Sequence, residues 1–233
     1  MSELITANCY KYKDNVEYID VENYYDPDLK IIRIPLDSSI SPAKNAQKYY
    51  NKYNKLKNAE IQALQWIKIV NEELTYLESV ADEINRIENI DDIKDIKDEL
   101  TEQGYIKATG VRKKKKEEAS MPEKIIYNGY EIYVGKNNKQ NDFLTLKLSR
   151  SNDLWFHTKN IPGSHVIISK KNHEEIPDDV ILKAAKLAAL HSKAKGQAKT
   201  PVDYTIIKNV KKPSKAKPGM VIYENYNTIY VNP

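Results

Sequence analysis

Apolar residues along this chain follow two periods. From Ala46 a step alternating three and four residues meets Tyr49, Tyr53, Leu56, Glu60, Ala63, Ile67, Val70, Leu74, Leu77, Ala81 and Ile84, with Glu60 the one polar exception. A spacing averaging 3.5 residues is that of a coiled-coil seam. Ser41-Pro42 reads as its start, with serine as N-cap and proline at the first helical position. No breaker follows until about residue 89, so residues 42–88 are predicted to form one helix, spanning on the order of 65 Å. Such a helix needs a partner. The only other helical pattern nearby, Asp91–Gln103 with Ile93, Ile96 and Leu100 on one side, is too short to cover it. Either the chain self-associates along the helix, or a partner helix lay upstream of Met1.

Alternation with period two marks the strands. Residues 16–22 and 29–34 flank the turn-type Tyr25-Asp26-Pro27-Asp28 and predict a small β-hairpin. KIIYNGYEIYVG predicts a second hairpin around Asn128-Gly129. FLTLKLS follows as a short helix capped by Asn141 or Asp142. Strands at LWFHT and Val166–Ile168 are joined through a Pro162-Gly163 turn. Asp178–Ala194 is an amphipathic helix. A strand, a lysine-rich loop and a hairpin turning near Glu224–Asn227 close the chain. The fold class is α+β: a long coiled-coil helical arm with a small β-hairpin subdomain, then a mixed, mostly antiparallel module.

Charge divides the chain more sharply than composition does. The 233 residues carry a formal net charge of +4, but residues 1–110 hold 14 Lys+Arg against 21 Asp+Glu, and residues 111–233 hold 23 against 12. The halves therefore sit at −7 and +11. This suggests a middle subdomain and arm over 1–110, a basic linker over 111–122 containing Arg112 to Lys116, and a basic domain over 123–233. The single cysteine, Cys9, excludes an internal disulfide framework and a thiolate zinc site. No apolar run approaches the roughly 20 residues of a membrane span. MSELITANCY lacks the pattern of a secretory signal, so the expected location is the cytoplasm.

Candidate chemistry gathers in the basic half. Asp153, Trp155 and His157 alternate, so a strand puts them on one face with Leu154 and Phe156 on the other. Trp155 is then either core packing or a platform for a stacked base. Asp153 and His157 are either a buried pair or a carboxylate that orients and charges an imidazole. Lys136 and Lys139 flank a helix start that either holds a phosphate or is a polar turn with an ordinary cap. Lys208, Lys211, Lys212, Lys215 and Lys217 share a loop stiffened by Pro213 and Pro218, suited to an RNA backbone or merely solvated. There is no G-x-S-x-G, P-loop or dinucleotide fingerprint, and Ser164 and His165 point to opposite faces of a strand. His157, His165, Asp153 and Asp203 lack a diagnostic metal spacing. A non-enzymatic chain without metal or cofactor is expected.

DLWFHTKNIPGSHVII, GKNNKQNDFLTLKLS, AAKLAAL and PVDYTIIKNVKKPSKAKPGMVIY strongly resemble the NFACT-R domain. ELITANCY, IPLDSSISPAKNAQKYYNKYNKLK and EELTYLESV resemble the middle and coiled-coil region of the same proteins. The resemblance covers essentially all 233 residues. The NFACT family includes bacterial ribosome quality-control factors that add alanine tails, and Gram-positive members also carry the name fibronectin-binding protein A. Its N-terminal NFACT domain and helix-hairpin-helix region are not in this sequence, so the resemblance implies a C-terminal fragment. It further implies binding to the rRNA of a stalled large ribosomal subunit and to tRNA, with peptide-bond formation left to the ribosome. The family's D-x-W-x-H motif, tied to function, maps onto Asp153, Trp155 and His157. The rival expectation is a fibronectin-binding adhesin, brought to the cell surface by unconventional export.

Overall fold

The computed structural model describes residues 1–12, 16–87, 90–107, 120–170 and 175–233. The chain forms two compact units, Met1–Asn71 and Glu72–Pro233. Most of the expected basic linker, including Arg112 to Lys116, lies outside the described residues.

In the first unit, helix α1 (Ser2–Asn8) packs on the antiparallel hairpin of β1 (Tyr18–Glu22) and β2 (Ile31–Pro35). Ile19 and Val21 alternate inward and meet Leu4, Ile5, Ile34 and Ala46 in one small core. Helix α2 (Pro42–Asn85) begins here. Ser41 Oγ accepts from Lys44 N at 3.4 Å, as an N-cap does. Buried Asn45 pins the helix to the hairpin exit, accepting from Asp37 N at 2.8 Å and donating to Asp37 O at 2.9 Å. Beyond that root the expected stripe is bare: Tyr53, Leu56, Ile67 and Val70 stand 56% to 60% exposed.

The second unit contains the last turns of α2, helix α3 (Ile90–Glu102), and a six-stranded sheet ordered β10-β7-β5-β6-β4-β3, antiparallel throughout. Its strands are β3 (Glu123–Tyr127), β4 (Tyr130–Val134), β5 (Leu154–Thr158), β6 (Val166–Ser169), β7 (Thr200–Ile206) and β10 (Asn227–Val231). A small ribbon pairs β8 (Val210–Lys211) with β9 (Ile222–Tyr223). The Asn128-Gly129 turn has positive φ at both residues, as a two-residue hairpin requires. Each sheet face carries a packed layer, the one opposite helix α5 (Asp178–Leu190) being incomplete. Helix α5 lies over Ile132, Val134, Phe156, Val166, Ile168 and Val202. On the opposite face Trp155 and Ile167 pack with Leu144 and Val210.

Five sequence expectations are corrected. At the end of α2 the packed side is Tyr76, Val80 and Glu83, while Leu77 and Ile84 of the expected seam are exposed. Residues 76, 80 and 83 also satisfy helical spacing, so two stripes overlap there. On α3 it is Asp92, Ile96 and Glu99 that face inward, and Ile93 points out. Helix α4 (Asn138–Phe143) is capped by Asn137, whose side chain accepts from Gln140 N at 2.9 Å, and Leu144–Leu148 continue as a π-turn. The turn after β5 is made at Asn160, with φ 55°, rather than at Pro162-Gly163. Gly163 answers a different need, because a Cβ there would meet Ser192 Cβ at 2.7 Å and Thr158 Oγ1 at 2.8 Å. Finally, β9 and β10 belong to different sheets and do not form a hairpin.

The close approach at Gly163 gives a stability expectation. Gly163→Ala must push the β5–β6 connection away from Ser192, at a cost of about 1–3 kcal/mol. Denaturant unfolding followed by tryptophan fluorescence checks this, and an unchanged midpoint would contradict it.

Candidate functional site

Strand β5 places Asp153, Trp155 and His157 on the face away from α5, but not as one working group. Asp153 is buried just ahead of the strand and holds backbone: Oδ2 accepts from Arg150 N at 2.7 Å and Oδ1 from Lys170 N at 2.8 Å. It therefore does not orient His157. The carboxylate facing His157 belongs to Asp203, its register partner on β7. Asp203 is itself buried and accepts from Tyr223 Oη at 2.9 Å and Thr228 Oγ1 at 2.6 Å, with Lys159 Nζ at 3.5 Å.

Trp155 is wholly buried. His157 stacks on it at 5.7 Å between ring centroids, His165 meets it edge-on at 5.1 Å, and Tyr223 lies at 4.8 Å. Its ring is enclosed by protein and is not offered to a stacking partner. The indole N–H is buried and finds no hydrogen-bond partner among the described residues. His165, fully buried, shares a 2.7 Å hydrogen bond between Nδ1 and Thr145 Oγ1.

The candidate lysines separate into two groups. Lys136 lies 3.9 Å from Glu123 and Lys139 lies 3.3 Å from Glu102. The backbone amides of Lys136 and Gln140 are taken by Gln140 Oε1 and Asn137 Oδ1, so this turn is closed on itself rather than open to phosphate. In the lysine-rich loop, Lys212 pairs with Asp142, whose other oxygen accepts from Gly219 N at 3.1 Å. Lys217 donates to Tyr105 Oη at 3.2 Å and rides over the rings of Tyr105 and Tyr76, at 4.9 Å and 5.3 Å from their centroids. Both lysines fasten the loop. Lys208, Lys211 and Lys215 are exposed. Lys211 makes an exposed 3.5 Å contact with Glu224, and no carboxylate among the described residues pairs with Lys208 or Lys215.

Sequence reasoning missed Tyr76 and Tyr105 and read Asp142 only as a helix cap, although these three groups decide which lysines are free. Their sequence context gives no signal, because they meet the loop only after folding. Asp203 did leave a mark, as a charge inside the apolar run PVDYTII. Beneath Lys217, Tyr76 Oη donates to Glu99 at 2.8 Å, and Asn138 Nδ2 also reaches Glu99 at 3.2 Å. Burial pushes the Glu99 and Glu83 carboxyls above their ordinary range.

These groups set a pH dependence. Burial pushes His157 down to about 4, and burial together with the facing His157 imidazole holds His165 well below 6.5. A depressed imidazole contributes stability that is full above about 6.5 and is lost as pH falls toward 4. Glu83 and Glu99 act oppositely, contributing below their ordinary range and losing that contribution as pH rises through their raised values. Comparison with His157→Gln removes this opposing background. Between pH 6.5 and 4.5 the variant should lose up to about 1.4 kcal/mol less per pH unit than the parent. Matching slopes would contradict this. Trp155→Ala should cost about 3–5 kcal/mol, as for a deleted core aromatic, measured by denaturant unfolding.

Comparison with known proteins places this geometry. The profile of NFACT N-terminal and middle domains matches residues 1–119, and that of the NFACT protein RNA binding domain matches residues 124–225. The chain is 40% identical over 234 aligned positions to the Rqc2 homolog RqcH of Bacillus subtilis (strain 168), covering 99% of this chain and 40% of that protein. It is 36% identical to the Rqc2 homolog RqcH of Streptococcus suis (strain 05ZYH33), covering 99% of this chain and 41% of that one. It thus spans about two fifths of the length of these relatives. A solved structure, the C-terminal of the fibronectin/fibrinogen-binding protein from Streptococcus suis, superposes with a TM-score of 0.74 at 38% identity. That match covers 82% of this chain and 76% of the other. From the arm's root to the lysine-rich loop, this chain belongs to the NFACT family.

Proposed function

We propose that the chain is the RNA-contacting part of an NFACT ribosome quality-control factor, acting as a binding component rather than an enzyme. In this reading residues 111–233 meet the rRNA of the large ribosomal subunit and tRNA, supporting alanine tailing of stalled chains while the ribosome forms the peptide bonds. The observation that carries it is the lysine-rich loop: Lys212 and Lys217 are spent on holding it, so Lys208, Lys211 and Lys215 stand in solvent on a fixed support. Phosphate affinity gains from such preorganisation, because less disorder is lost on binding. The exposed Lys211–Glu224 contact is weak enough to exchange for a phosphate. Asp153, Trp155 and His157 support binding indirectly, by fixing the face on which the loop rests, and Lys136 and Lys139 add positive charge at the rim. The match to the NFACT protein RNA binding domain over residues 124–225 and the RqcH relatives favour this reading.

The bare apolar stripe of α2 is proposed to take a second helix, from another copy when no other partner is present. No helix among the described residues is long and apolar enough to cross a membrane.

Fibronectin binding is the second reading, favoured by the name of the Streptococcus suis protein whose C-terminal structure this chain resembles. A pull-down with purified fibronectin beside ribosome co-sedimentation separates the two.

Replacing Lys208, Lys211 and Lys215 together by Ala should reduce the log–log salt slope of RNA binding by about 2, at roughly 0.7–0.9 per lost phosphate contact. Melting temperature should be kept. An unchanged slope would contradict the assignment. Sedimentation of the isolated chain should show concentration-dependent association that Leu56→Glu with Ile67→Glu abolishes. A parent that stays monomeric at all concentrations would count against the arm as a pairing surface.

A further inference from the structure

The sheet face away from α5 is not fully covered. A cavity of about 210 Å³ opens there, lined by buried Leu144, Ile167 and Asp153, half-buried Tyr133, and the exposed Leu148 and Arg150. The π-turn at Leu144–Leu148 makes one wall, and such turns gather at functional sites because they redirect side chains out of the regular helix.

Its chemistry is specific. Each Asp153 oxygen already accepts one backbone N–H, from Arg150 or Lys170. An ionised carboxylate offers about four acceptor positions, so two are left for a donor entering the cavity. The other carboxylate in the lining does not compete: Glu131 is held by Lys124 at 2.8 Å and by the Tyr133 hydroxyl at 3.0 Å. The Arg150 guanidinium has no partner among the described residues. A slot of mixed polar and apolar lining that holds a buried acceptor and an exposed, unpaired guanidinium suits a flat molecule carrying N–H donors and an anionic tail.

We propose that this cavity receives one nucleotide of unpaired RNA, its amino-bearing base against Asp153 and its phosphate at Arg150. The inference rests on the RNA-binding reading and adds a base-recognising site to it. Single-stranded RNA is read in this way, by a splayed base placed in a pocket and hydrogen-bonded on its edge. Adenine and cytosine bring an exocyclic amino donor to an acceptor-only carboxylate, and uracil does not. Asp153 thereby acquires a ligand-facing role beside its structural one.

The test uses the full chain, with Arg150→Ala to remove the phosphate contact and Leu148→Trp to fill the cavity. Both positions are exposed, and unchanged melting temperatures confirm that the variants fold. Fluorescence anisotropy with short labelled oligo(A), oligo(C) and oligo(U) should show each variant weakening oligo(A) and oligo(C) roughly tenfold, with oligo(U) binding weaker from the start. Titration of the parent with cytidine 5′-monophosphate should shift the amide resonances of Tyr133 and Ile167. Variants that bind every oligonucleotide like the parent, with no shifts from the mononucleotide, would overturn the site while leaving RNA binding by the loop intact. A parent that binds no RNA at any salt would instead sink the RNA reading. The mononucleotide titration then decides the cavity alone: shifts at Tyr133 and Ile167 sustain it, and their absence overturns it.

Discussion

The ammonium of Lys217, set over the rings of Tyr76 and Tyr105, is the contact on which the second unit's functional surface depends. Tyr76 comes from α2, Tyr105 follows α3, and Lys217 belongs to the loop between β8 and β9. One cation thus joins three stretches of chain that share no strand pairing. A cation over an aromatic ring contributes about 0.5–2 kcal/mol, and here the partially desolvated ammonium also donates to a hydroxyl. Met220 packs into the same cluster beside Val80 and Ile96, so the loop adds apolar area to the contact. With Lys212 held by Asp142 a few residues earlier, the loop is fixed at both ends and its other lysines are left to face outward.

The sheet beneath that loop carries two different faces for a simple reason. Strand alternation sends Leu154 and Phe156 toward the small residues of α5, where Ala184, Ala185 and Ala188 allow close approach. The same alternation sends Trp155, His157 and Asp203 to the other side, where an apolar cover alone would strand a carboxylate. The cover is therefore mixed. Tyr223 and Thr228 satisfy Asp203, and two imidazoles kept neutral by burial fill the space around the indole. Where that cover thins, between the π-turn and β4, the cavity with Asp153 and Arg150 appears.

Much of the architecture was legible in the residues. Ser41-Pro42, the long heptad and Asn128-Gly129 each encode a local geometry that survives folding, and the fold class follows from them. The alternation Asp153-Trp155-His157 correctly gave a shared face, yet period two says nothing about what covers that face. Burial of Trp155 depends on Leu144, Val210 and Tyr223, which are distant in sequence. The same limit explains the lysines. Lys215 and Lys217 look alike in a lysine-rich loop, and only Tyr76 and Tyr105 distinguish them. At the end of α2, Leu74, Leu77 and Ile84 outrank Tyr76 and Glu83 in hydrophobicity, but the packed side was chosen by hydrogen bonding and ring contacts around Glu99.

If the basic loop is clasped before any ligand arrives, its backbone must already be protected in the free protein. Amide hydrogen exchange tests this most directly, comparing the parent with Lys217→Met, which keeps the side-chain length and removes the charge. The Gly219 and Met220 amides, bonded to Asp142 Oδ1 and Lys217 O, should be protected in the parent and exchange at least tenfold faster in the variant. Amides of β5 and β6 should keep their protection. Equal protection of Gly219 and Met220 in both proteins would contradict the clasp.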